Sequence, residues 1–66
     1  MTIGRVQWFR VKVGYGFIQT KDGEDCFFHH SDVRGEGYKV LKEGQAVQFI
    51  KMVSNQGLKA SKIMPI

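Results

Sequence analysis

Aromatic and imidazole side chains recur at every second position in two short runs of this chain, Gly14-Tyr15-Gly16-Phe17-Ile18 and Phe27-Phe28-His29-His30. The chemistry open to such groups is stacking against other flat rings, nucleobases foremost. A β-strand turns alternate side chains to opposite faces, so Tyr15 with Phe17, and Phe27 with His29, would each share one face. The residues between and beside them, Gly16, Ile18, Cys26 and Phe28, are small or apolar and suit the inward side. Two such strands lying side by side would make a platform of four π-faced groups.

Other chemistries fit less well. Cys26 and His29 are three apart on a strand and point to opposite faces, and no second ligand pair accompanies them, so no metal is expected. His30-Ser31-Asp32 holds the side-chain types of a catalytic triad, but adjacent residues cannot aim at one another as a triad requires. His29 and His30, as neighbours on one strand, should diverge, which argues against paired acid-base cleavage of RNA. Gly14-Tyr15-Gly16 begins like a dinucleotide-binding fingerprint, but Gln19 stands where the third glycine belongs and no helix follows. The same residues match the middle of the ribonucleoprotein motif, whose domains need two helices that this chain does not pattern. No catalytic residue and no cofactor are expected, and the chain does not read as an enzyme.

Those side chains must be positioned by very little protein. Sixty-six residues make one domain, and a domain this small buries only roughly 60% of the surface its unfolded chain exposes. Eight residues are Phe, Tyr or Trp, and several are assigned outside the core. The interior is then expected to rest on Val6, Ile18, Cys26, Phe28, Val33, Val47, Phe49 and Ile63. A single cysteine excludes an internal disulfide, and Cys26 reads as a small buried hydrophobe. No apolar run approaches the roughly 18 residues of a membrane span, and Met1 to Arg5 lacks a signal peptide's apolar segment, so a cytoplasmic location is expected. Ten Lys plus Arg against six Asp plus Glu, a net charge of +4, suits a polyanionic partner.

The supporting elements are all strands. Ile3 to Val13 mixes β-branched, aromatic and basic residues without helical repeat and reads as a long first strand. Trp8 and Phe9 are adjacent within it, so either one is buried or a bulge re-aims the pair. Tyr15 to Thr20 and Asp25 to His29 form a hairpin around Lys21-Asp22-Gly23-Glu24, whose Asp-Gly pair is a turn signal. From His30 to Gly44 the pattern weakens; Ser31-Asp32 suits the cap of a helical turn, and about fifteen residues of connection invite a functional role. Gln45 to Val53 and Leu58 to Met64 give the last two strands, turned at Ser54-Asn55-Gln56-Gly57, with Pro65 after the ladder. Five short strands and no amphipathic helix predict an all-β barrel or sandwich, and a five-stranded antiparallel barrel spanning residues 1–66 is favoured because so short a chain cannot fill two packed sheets.

Gly4-Arg5-Val6-Gln7-Trp8-Phe9, Gly14-Tyr15-Gly16-Phe17-Ile18, Asp25-Cys26-Phe27-Phe28-His29-His30-Ser31 and Leu41-Lys42-Glu43-Gly44-Gln45-Ala46-Val47 together resemble the bacterial cold-shock proteins in order and spacing. The resemblance covers essentially the whole chain. It implies an OB-type barrel that binds single-stranded RNA and DNA with low sequence preference, and RNA-chaperone action in many members. By position it places Trp8, Tyr15, Phe17, Phe27, His29, His30 and Tyr38 where the family stacks bases. Asp25 falls where a family carboxylate accepts hydrogen bonds from base edges. The family usually has Lys, Asn and Lys at positions 7, 10 and 13, where this chain has Gln7, Arg10 and Val13. Phosphate contacts are therefore expected to be fewer and to fall to Arg10, Lys12, Lys39 and Lys59. A monomer is expected, although exposed strand edges also allow exchange between two copies. The competing reading is a small barrel that docks a proline-rich peptide on its aromatics. Such grooves usually carry acidic flanks, whereas the balance here is basic.

Overall fold

Each early strand stops where a backbone group finds a turn partner instead of a ladder partner. The first strand, β1, runs Thr2–Arg10, shorter than the stretch to Val13 expected from alternation. Gly14 N–H donates to Arg10 C=O at 2.8 Å, closing residues 11–14 into a turn that ends the strand. The next strands are β2, Tyr15–Thr20, and β3, Asp25–His29. Between them Gly23 N–H donates to Thr20 C=O and Thr20 N–H to Glu24 C=O, the tight reversal that Asp22-Gly23 favours. A single 3-10 turn, His30–Asp32, follows β3. The remaining strands are β4, Ala46–Ser54, and β5, Gly57–Pro65. Pro65 is thus the last residue of β5, opposite Val47, rather than a residue beyond it; the ladder closes with Ile66 N–H donating to Ala46 C=O. This computed structural model describes residues 1–35 and 41–66.

The strands close into a barrel in the order β1-β2-β3-β5-β4. Five strands in a closed ring cannot alternate in direction all the way round, so one neighbouring pair must run parallel. That pair is β3 with β5, joined where Phe27 lies opposite Lys59. The antiparallel expectation holds for the other four pairings and is corrected at this one.

All eight side chains assigned to the interior are buried, joined by Leu41 and Ala60. Phe28 and Phe49 are the largest fully buried ones. The alternation that puts them there is broken once on β1, where the register with β2 shifts between Val6 and Trp8. Gln7 is the extra residue, and such a bulge reverses which face the following side chains take. Val6 points in, Trp8 points out, and Phe9 turns back to meet Phe28 with ring centroids 5.2 Å apart. A second shift, between Gln48 and Ile50 of β4, falls opposite Lys62, whose φ is +51°. Beyond Phe49, β4 has lost its β1 partner and keeps only β5, and Ile50, Met52 and Val53 are all exposed.

Cys26 is fully buried. Desolvation first, and the Glu24 carboxylate second, push its thiol above the ordinary value. The folded protein therefore favours the protonated thiol more than the unfolded chain does. The stability linked to this shift is complete below the ordinary thiol pKa and is lost as pH rises from there through the raised value of the folded state. Denaturant midpoints measured from pH 7 to 10 are expected to fall for the parent protein and to fall less for Cys26→Ala.

Candidate functional site

The Gln7 bulge and the strict alternation of β2 and β3 deliver four rings to one outer face. Trp8 packs against Tyr15 at 5.6 Å between centroids and 69° between planes, and against Phe17 at 5.4 Å and 52°. Phe27 completes the cluster, 5.8 Å from Tyr15 and 5.7 Å from Phe17. Edge-to-face and tilted contacts of this kind suit the ring quadrupoles and hold each ring in a set orientation. Tyr15 and Phe27 are each 38% exposed, while Trp8 and Phe17 are half-buried against their neighbours. Gly16 is what lets β1 cross so closely: a Cβ there would overlap the Trp8 carbonyl oxygen and lie 2.9 Å from Phe9 Cα.

The imidazoles extend this face past Tyr15, which is the cross-strand partner of His29. His29 Nδ1 accepts from the Ser31 backbone N–H at 3.3 Å and lies 3.0 Å from Ser31 Oγ; the His29 backbone N–H donates to Asp32 Oδ2 at 3.0 Å. This reciprocal cap starts the 3-10 turn and fixes the ring. The expected divergence of His29 and His30 is corrected. The strand ends at His29, so the chain bends before His30 and the two rings sit 4.2 Å apart. His30 N–H donates to Gly14 C=O at 2.7 Å, and a Cβ on Gly14 would come within 2.8 Å of His30 Cδ2 and 3.2 Å of His29 Nε2. At φ +81°, Gly14 is suited both to its backbone conformation and to the space beneath the two rings. Among the described residues no three His, Cys, Asp or Glu side chains gather as metal ligands.

The predicted polar partners are arranged around these rings. The Arg10 guanidinium lies 5.9 Å from the Trp8 ring centroid, a cation–π arrangement at the edge of the cluster. Lys12 is exposed in the turn after β1, where strand alternation no longer dictates its face. Asp25 is exposed at the start of β3, and Lys59 lies beside Phe27 across the parallel seam. Lys59 Nζ is 3.8 Å from Asp32 Oδ2, a long pair at a half-exposed ammonium that contributes little. Lys51 is engaged elsewhere: its ammonium donates to Glu24 at 2.7 Å, and that hydrogen bond holds its pKa above the ordinary lysine value. Tyr38 and Lys39 lie outside the described residues.

One group of neighbours was not legible from local pattern. An open groove of about 590 Å³ runs between Phe17, Asp25 and Phe27 on one side and the 54–57 turn, Leu58 and Lys59 on the other. Ser54 to Gly57 reads in sequence as a plain turn. Only barrel closure, which sets the start of β5 beside β3, brings it to the rings. The face as a whole offers half-exposed π-surfaces, a rim of cations and one open carboxylate.

Comparison with known proteins agrees with this geometry. Residues 2–66 match the family model described as the 'Cold-shock' DNA-binding domain. Cold shock protein CspB of Bacillus caldolyticus is 41% identical over 66 residues, covering 100% of both chains. Cold shock-like protein CspD of Bacillus cereus is 43% identical over 63 residues, 96% of each chain. Cold shock protein 1 of Lactiplantibacillus plantarum is 43% identical over 65 residues, 98% of each.

Proposed function

Because this chain belongs to the cold-shock domain family, a nucleic-acid-binding and non-enzymatic one, we propose that it binds single-stranded RNA and DNA by stacking bases on Trp8, Tyr15, Phe17, Phe27, His29 and His30. The observation that carries this reading is the continuous ring cluster Trp8-Tyr15-Phe17-Phe27 on one outer face. Every base has a π-face, so stacking tolerates many sequences. Duplexes hide those faces, which leaves unpaired strands as the ligand. Trp8, the chain's one tryptophan, reports directly on contact. Its fluorescence is expected to be quenched by an oligo-dT heptamer. No quenching, together with no binding by a second method, would end the proposal.

Arg10, Lys12 and Lys59 supply the phosphate contacts in this reading. Each neutralised phosphate on a single strand contributes about 0.7 to the log–log salt slope, so three give a slope of about −2. Titrations at two salt concentrations are expected to return that moderate value; a slope of about −5 would mean that charge, and not stacking, dominates. RNA-chaperone action follows by mass action. A protein that binds open strands and not duplexes draws the RNA folding equilibrium toward the open form without nucleotide hydrolysis. A molecular-beacon hairpin is expected to open as the protein saturates it.

A further inference from the structure

The groove along the β3–β5 seam is polar in a directional way, and stacking does not use that. We propose that it is a base-selective subsite that takes guanine in preference to the other bases; this rests on the stacking reading and deepens it. Asp25 and Phe27 are alternate, outward residues of β3, about 6.6 Å apart along the strand. Lys59 stands beside Phe27 on β5, and all three line the groove together with Phe17. A base lying on the Phe17–Phe27 floor thus meets a carboxylate at one end and an ammonium at its side. The first can only accept hydrogen bonds and the second can only donate them.

Among the described residues Asp25 makes no side-chain hydrogen bond or ion pair, so both oxygens are open to a ligand. The groove is clear at that end, since a Cβ built on Gly57 has no heavy atom within 4 Å. Among the described residues Lys59 is held only by the 3.8 Å pair with Asp32, leaving its ammonium able to turn from a phosphate to the edge of a guanine where that base occupies the groove. Guanine fits this pair of groups. Its N1–H and N2 amino group are adjacent donors that match two carboxylate oxygens, while O6 and N7 accept from a lysine. Thymine and uracil present one N3–H between two carbonyl oxygens. Adenine and cytosine present an amino group beside a ring nitrogen that is itself an acceptor. Only guanine satisfies the carboxylate twice.

The test is fluorescence titration of the full chain with a dT heptamer and with heptamers carrying one central dG, dA, dC or deoxyinosine, at fixed salt. The dG oligomer is expected to bind about tenfold tighter than all-dT, the scale of one bidentate base contact. Deoxyinosine keeps N1–H, O6 and N7 but lacks the N2 amino group, and is expected to lose most of that gain. In Asp25→Asn the dG-to-dT affinity ratio is expected to fall to about one, and in Lys59→Gln to fall several-fold; circular dichroism confirms that each variant is folded. Equal binding of all five oligomers would overturn the guanine subsite and leave stacking intact. A dG preference that survives Asp25→Asn would also overturn it. Failure of every oligomer to bind would remove the stacking reading and this inference together.

Discussion

Phe27→Ala is expected to weaken binding of an oligo-dT strand by about 1–3 kcal/mol, roughly 5- to 150-fold in Kd, the range for losing one stacked base. Phe27 is 38% exposed and touches both Tyr15 and Phe17, so its removal takes away ligand-facing surface and some mutual support of the rings. Truncating so exposed a ring forfeits only part of a buried phenylalanine's contribution, about 1–2 kcal/mol of stability. Its neighbour in sequence supplies the contrast. Phe28 is fully buried, and Phe28→Ala is expected to cost about 3–5 kcal/mol, enough to unfold much of a domain this small. Urea denaturation read beside a titration, with affinity corrected for folded fraction, separates the two effects. Phe27→Ala protein that is folded and binds like the parent would remove the platform from the mechanism.

Among the described glycines, Gly16 is where an added methyl group (Gly16→Ala) is expected to do the most damage. The added Cβ would collide with backbone, the Trp8 carbonyl oxygen and Phe9 Cα, with the Phe28 ring 3.1 Å away. Backbone cannot rotate aside as a side chain can, so β1 must move off β2 at the bulge. The loss is expected to be about 3 kcal/mol, the upper end for an overpacked site. A domain of this length holds only about 3–10 kcal/mol in all. Because the bulge is also what turns Trp8 outward, the surviving folded fraction is expected to show altered Trp8 fluorescence and weaker oligonucleotide binding. Gly23→Ala, in the β2–β3 turn and away from the groove, is the control for glycine's conformational role alone, since an added Cβ there would meet no atom within 4 Å and its φ is +87°.

The contrast between these two sites shows what alternation can and cannot reveal. In β2 and β3 the small or apolar residues Gly16, Ile18, Cys26 and Phe28 alternate with the outward rings Tyr15, Phe17, Phe27 and His29. Both strands could therefore be bounded to the residue, and Ile18, Cys26 and Phe28 assigned inward. The same rule carried β1 too far. Val11 and Val13 continue the strand-like composition, but the hydrogen bond from Gly14 N–H to Arg10 C=O, invisible in the pattern, ends the strand three residues early. At Trp8-Phe9 composition leaves a choice between burial and a bulge; the structure uses a bulge at Gln7, which turns Phe9 inward to lie partly buried against the core. The divergence expected of His29 and His30 fails for a related reason, since it assumes that both lie on the strand and only His29 does. The groove beside Phe27 lay furthest from view. Its two walls are some thirty residues apart in the chain and meet only because the ring of strands must close.

That closure has a consequence for how occupancy and folding are linked. The parallel join of β3 to β5 is made where Phe27 faces Lys59, and it runs directly beneath the face assigned to the ligand. A strand of nucleic acid lying from Phe17 across Phe27 toward the 54–57 turn would span the join as a splint spans a fracture. Parting the cylinder there would require the guest to let go first, so every increment of affinity at this spot also raises the barrier to local opening.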